Sequence, residues 1–156
     1  MAAALKDAFV RKPVLATIRL VLPAGAARTG PPVSPALGPY RVNLMALCKE
    51  INARTQRYKP DTPIRVTVTV YRDSTFQLVV KPPSVSWLLK KAAGIQTASR
   101  FPGHVTAASL TVRHVYEIAR LKLGDDPSCK YASLEAMCKS VVATARSMGI
   151  AIVRDL

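Results

Sequence analysis

No stretch of the sequence spells GxxxxGK[ST], GxGxxG or GxSxG, which excludes the phosphate cradles and the nucleophile elbow that those spacings build. Acids are scarce: nine Asp and Glu stand against 23 Lys and Arg, a formal net charge of +14. That leaves too few carboxylates to suggest a paired acid/base site, and it points instead to polyanionic partners such as nucleic acid. The two histidines, His104 and His114, have no cysteine or carboxylate at a ligand-like interval, so no metal site is expected. Three cysteines, Cys48, Cys129 and Cys138, form no CxxC pair and are odd in number. They argue against a disulfide framework and for buried thiols in a reducing compartment. No run of about 18 apolar residues exists, so no span of a bilayer is expected, and the bases are too scattered for a basic membrane patch. Neither a catalytic residue nor a cofactor emerges.

What is present suffices for a folded chain. Apolar residues make up 49% and charged residues 21% of the 156 positions, enough to fill a core. Residues 1–13 form a short basic arm with Lys6, Arg11 and Lys12, a faint import signal. "VLATIRLVL", 14–22, alternates with period two and reads as a strand. "GPPVSPALGP", 30–39, holds four prolines and no charge; it reads as loop, because proline suits neither a helix interior nor a central strand. Asn43 can cap a helix whose Leu44, Leu47, Cys48 and Ile51 share one face. "IRVTVTVY", 64–71, and "TFQLVV", 75–80, read as two strands joined by a turn at Arg72-Asp73-Ser74. The segment 14–81 is therefore a small α+β domain of three strands and one helix.

"KPPS" ends it, with 82–84 as a proline hinge. From 85 to 156 the period becomes 3.6. Val85, Leu88, Leu89 and Ala92 precede Gly94; Val115, Ile118 and Ala119 follow a Thr111 cap; Leu134, Met137, Cys138, Val141, Ala145 and Met148 follow a Ser133 cap. Three helices can bury one another, and "IAIV", 150–153, adds a short extended tail. A DNA-reading helix-turn-helix fits poorly, since Leu123 to Ala132 is much longer than the turn of about 3–4 residues that it needs.

Two patterns in the helical half bear on binding. No acid occurs from 82 to 116, where Lys90, Lys91, Arg100 and Arg113 lie, nor from 136 to 154, which holds Lys139 and Arg146. If those stretches share a side, it is either a phosphate-binding surface or an ordinary solvated face. In the last helix, Ser140, Ala143, Thr144 and Ser147 form a strip of small and hydroxylated residues opposite the apolar stripe. Such a strip either approaches the wide minor groove of A-form RNA or packs against another helix.

"PPVSPALGPYRVNLMALCKEIN", "VTVYRDSTFQLVVKPPSVSWLLKKAAGI" and "TARSMGI" together resemble, in order and separation, large-subunit ribosomal protein eleven, the stalk-base family of the bacterial-type ribosome. "HVYEIARLK" and the terminal "VRDL" are most similar to its mitochondrial branch. The resemblance implies a non-enzymatic protein of the mitochondrial matrix, with plastid or bacterial cytoplasm as the alternative address. Its partners would be the GTPase-associated centre of large-subunit rRNA, the stalk ribosomal proteins and translational GTPases; neither membrane nor DNA is expected. A general nucleic-acid binder acting outside the ribosome is the alternative function. The rRNA contacts implied are Lys90, Lys91, Ala92, Ala93 and Gly94, then Thr144, Arg146, Ser147, Met148 and Gly149, to which the charge pattern adds Arg113 and Lys139. Pro31, Pro32, Pro35, Leu37 and Gly38 would face GTPases and the cleft where thiopeptide antibiotics lodge in this family. The chain departs from the family pattern at Ser34, at Ala143, at Pro39-Tyr40-Arg41 and at the less charged Gln96-Thr97-Ala98.

Overall fold

The computed structural model describes residues 13–129 and 131–154. The basic N-terminal arm lies outside the described residues. The chain divides into two compact units, the first ending at Val80 and the second beginning at Lys81.

The first unit is a three-stranded sheet with a helix, as its periodicities predict. β1 (Val14–Pro23), β2 (Pro63–Tyr71) and β3 (Phe76–Lys81) lie in the order β1-β2-β3. β1 and β2 are antiparallel, with Ile18 opposite Val68 and Leu20 opposite Val66. Ile64, Val66, Val68 and Val70 are all buried while Arg65 is exposed, so the alternation fixes which sheet face meets the core. α2 (Leu44–Thr55) starts at Asn43, whose Oδ1 accepts from the Ala46 amide at 3.2 Å, and it buries Leu47, Cys48 and Ile51. Two polar residues of α2 tie down the segment after β1. Asn52 exchanges two hydrogen bonds with the Ala27 backbone, at 2.9 and 3.1 Å. Thr55 Oγ1 accepts from the Gly25 amide at 3.2 Å and donates to the Ile51 carbonyl at 2.8 Å.

The proline-rich stretch corrects the loop expectation. Residues Val33–Leu37 form a short helix, α1, followed by a 3₁₀ turn over Gly38–Tyr40. Pro35 is the third residue of α1, within the first turn, where backbone N–H groups have no helical partner to lose. The argument against proline holds for a helix interior, and α1 has none.

The second unit contains α3 (Val85–Ala93), β4 (Ala108–Thr111), α4 (Val112–Asp125), a 3₁₀ turn over Pro127–Cys129, α5 (Leu134–Ser147) and β5 (Ile150–Val153). Ser84, Thr111 and Ser133 cap the three helices; at Thr111, His114 Nδ1 completes a reciprocal capping box. Leu89, Leu110, Val115, Ile118, Ala119, Val141, Ala145 and Ile150 form the core. β4 and β5 pair in parallel, Leu110 opposite Ile152. β4 was not expected from the sequence, since four residues with one buried leucine give too little alternation to register. Pro82 and Pro83 are buried, and the ammonium of Lys122 reaches the Pro82 carbonyl at 3.5 Å. Lys122 is 2% exposed and lies 4.0 Å from Asp126, itself 6% exposed.

Among the described residues, no helix is long and apolar enough to cross a membrane.

Candidate nucleic-acid interface

α5 has an inner and an outer face. Val141 and Ala145 are buried, whereas Ser140, Ala143 and Ser147 are exposed and Thr144 is half-buried. The small-residue strip is thus open to solvent and does not pack against another helix of this chain. Its hydrogen bonding narrows the chemistry further. Thr144 Oγ1 donates to the Ser140 carbonyl at 2.9 Å, and Ser147 Oγ donates to the Thr144 carbonyl at 2.8 Å. Each hydroxyl has one proton, and it is used within the helix; outward, the oxygens offer lone pairs only. They suit donors such as ribose 2′-OH groups and repel phosphate oxygens.

The cations expected to accompany this strip differ in availability. Arg146 is exposed in the last turn of α5, and Arg113 is exposed in the first turn of α4. Lys139 is less available than its position in an acid-free stretch implies: it pairs with Glu135 one turn earlier at 2.6 Å, both side chains being exposed. Glu135 lies just outside that stretch, and helical i, i+4 spacing brings it back onto the same face.

The end of α5 and the segment following α3 converge. The Ser99 amide donates to the Met148 carbonyl at 3.0 Å, and the Ala107 amide to the Gly149 carbonyl at 2.8 Å. Gly149 has φ +72°, and a Cβ there would come within 2.4 Å of Ser99 Cβ. Its missing side chain therefore admits the protein's own loop. Met148 and Ala93 are half-buried and pack against the apolar core on one side. Lys91, Ala92 and Gly94 are exposed and Lys90 is half-buried. Gly94, at φ +68°, ends α3 and donates to the carbonyls of Lys90 and Lys91.

Trp87 was missed in the sequence. It lines an open cavity of about 320 Å³ with Lys90, Lys91, Gly94, Ile95 and Gln96. Its spacing from Lys90, Lys91 and Gly94, i to i+3, i+4 and i+7, was the available signal.

In the first unit, Val33 and Leu37 are both fully buried and root α1 in the core. Pro31, Pro32, Pro35 and Gly38 are exposed, as is Pro39. Leu37 is thus corrected from a surface contact to an anchor, and Pro35 lies on the exposed side of α1.

Neither histidine is set up for catalysis: His104 lies in an exposed turn and His114 serves the Thr111 cap. Among the described residues, no group of three His, Cys, Asp or Glu could hold a metal. Burial pushes the Cys48 thiol up from its ordinary value of 9.0.

Residues 18–76 match the family model "Ribosomal protein L11, N-terminal domain", and residues 81–152 match "Ribosomal protein L11, RNA binding domain". The chain is also similar to the large ribosomal subunit protein uL11m of Schizosaccharomyces pombe. The two are 41% identical over 136 residues, which is 87% of this chain and 94% of the relative.

Proposed function

The chain belongs to the ribosomal protein L11 family, and from that membership we propose how its two units divide the work of a stalk-base protein. It is a structural constituent of the large ribosomal subunit and binds ribosomal RNA; its likeness to uL11m places it in the mitochondrial ribosome. The second unit holds the GTPase-associated centre of the rRNA through the outer flank of α5, Arg146 and the basic end of α3. The first unit turns Pro31, Pro32 and Pro35 toward translational GTPases and stalk proteins. Proline has little backbone freedom to lose when a partner docks, so this face can meet successive factors without reordering. No chemical step is assigned to the protein.

The observation that supports the rRNA assignment is the solvent-facing strip of α5, where the Thr144 and Ser147 hydroxyls spend their protons within the helix and offer lone pairs outward. It fits a groove lined with 2′-OH donors. The test compares a transcript of the GTPase-associated centre in its folded form with a variant that cannot fold. Arg146→Ala and Thr144→Val should each weaken binding to the folded RNA by about tenfold, the scale of one hydrogen bond to a charged group at Arg146 and an upper figure for Thr144. Binding to the unfolded RNA should change much less. Equal losses on both RNAs would reduce the surface to generic phosphate attraction.

A further inference from the structure

α3 presents two unlike faces. Val85, Leu88 and Leu89 turn to the core, while Trp87, Lys90, Lys91 and Gly94 share the opposite side at helical spacing. Trp87 is the chain's sole tryptophan. It is half-buried and stands outside the second unit's apolar cluster, an unusual place for the side chain with the most apolar area to bury. The Lys91 ammonium stands over its ring, 5.7 Å from the centroid, near the outer limit of about 6 Å for such a contact. Nothing among the described residues accepts a hydrogen bond from the indole N–H. The cavity that Trp87 lines also has an apolar wall from Ile95 and an amide from Gln96. Its volume of about 320 Å³ is at the lower end of the range of about 300–1,000 Å³ of small-molecule pockets.

A ring, an apolar wall, an amide and two cations in one recess match a nucleotide: a flat base with an anionic backbone beside it. We infer that Trp87 is a stacking platform for one unpaired nucleobase of the bound rRNA, with Lys90 and Lys91 holding the adjoining phosphates and Gln96 meeting the base edge. Base-on-indole stacking tolerates any base, so the site reads an unstacked nucleotide and not a sequence. The inference rests on the rRNA-binding reading and adds a contact which that reading does not require.

The test uses the full chain and two RNAs: the GTPase-centre transcript with its unpaired nucleotides, and a fully paired duplex of equal length. Binding is followed by gel shift and by the emission of Trp87, which no other tryptophan obscures. The looped RNA should quench that emission on binding, and saturating duplex should not. Trp87→Leu should weaken the looped RNA by about five- to 150-fold, the measured span for one stacked base, and Trp87→Phe should recover most of the loss. Circular dichroism of each variant confirms folding, and the quench on unaltered protein tests the platform even if Trp87→Leu does not fold. Equal quenching by duplex, or a Trp87→Leu variant that binds looped RNA like the parent, overturns the platform. If Arg146→Ala still weakens binding in that case, only this inference fails; if both variants are silent, the rRNA-binding surface itself is misplaced.

Discussion

Replacing Gly149 with alanine strikes a point where two constraints meet. The residue sits at φ +72°, and a Cβ there would lie 2.4 Å from Ser99 Cβ and 3.0 Å from the Val105 carbonyl oxygen. Left-handed backbone costs an L-residue roughly 1–2 kcal/mol. Relieving the contact must move Ser99, whose amide donates to the Met148 carbonyl at 3.0 Å; losing that bond adds about 1 kcal/mol. Gly149→Ala should therefore destabilise the second unit by about 2–3 kcal/mol. Gly94 supplies the control: its φ is +68°, but an added Cβ meets nothing within 4 Å, so Gly94→Ala should cost the backbone part alone, roughly 1–2 kcal/mol. Urea unfolding followed by Trp87 emission reads this unit directly, because the single tryptophan lies in α3. Adding Ser99→Gly to Gly149→Ala should recover the contact part and leave the backbone part. Equal losses for the two single alanine variants, or no recovery in the double variant, would refute the packing argument.

Two further outcomes follow from buried polar groups. Lys122→Met should destabilise the second unit by about 3–5 kcal/mol by removing the buried cation that pairs with Asp126, and a Lys122→Met/Asp126→Leu double variant should lose less; the same urea assay measures both. Cys48 should resist iodoacetamide at mildly alkaline pH while the half-buried Cys129 and Cys138 react, as peptide mapping by mass spectrometry would show. The sign of its pH effect is fixed, because the folded thiol keeps its proton where the unfolded one loses it. Stability from this group is therefore full below 9.0, its ordinary value, and declines as pH rises beyond it.

The sequence was legible where period and cap agreed. α2, α4 and α5 start at Asn43, Thr111 and Ser133, as their hydroxyl or amide side chains indicate, and the buried Ile64, Val66, Val68 and Val70 follow from alternation alone. It was illegible where tertiary contact overrides local pattern. α1 forms because Val33 and Leu37, one turn apart, both reach the core, a pairing that four prolines in ten residues hide. Nothing local to Gly149 announces its constraint, which is Ser99, fifty positions earlier. The strip on α5 was visible in composition, whereas its exposure and the direction of its hydroxyl protons depend on the three-dimensional arrangement. Trp87 escaped notice because a lone aromatic beside leucines reads as core until the opposite face of α3 is seen to carry it.

The parallel pairing of Ala108–Thr111 with Ile150–Val153 has a bearing on the order of synthesis. A nascent chain that has just delivered α3 and α4 has already made one strand of this pair, but its mate comes only after the whole of α5. Because domains fold as units while the chain emerges, the helical half stays unclosed until its final segment clears the exit tunnel. The second unit would thus close only once β5 has emerged, well after α3 and α4 have been made.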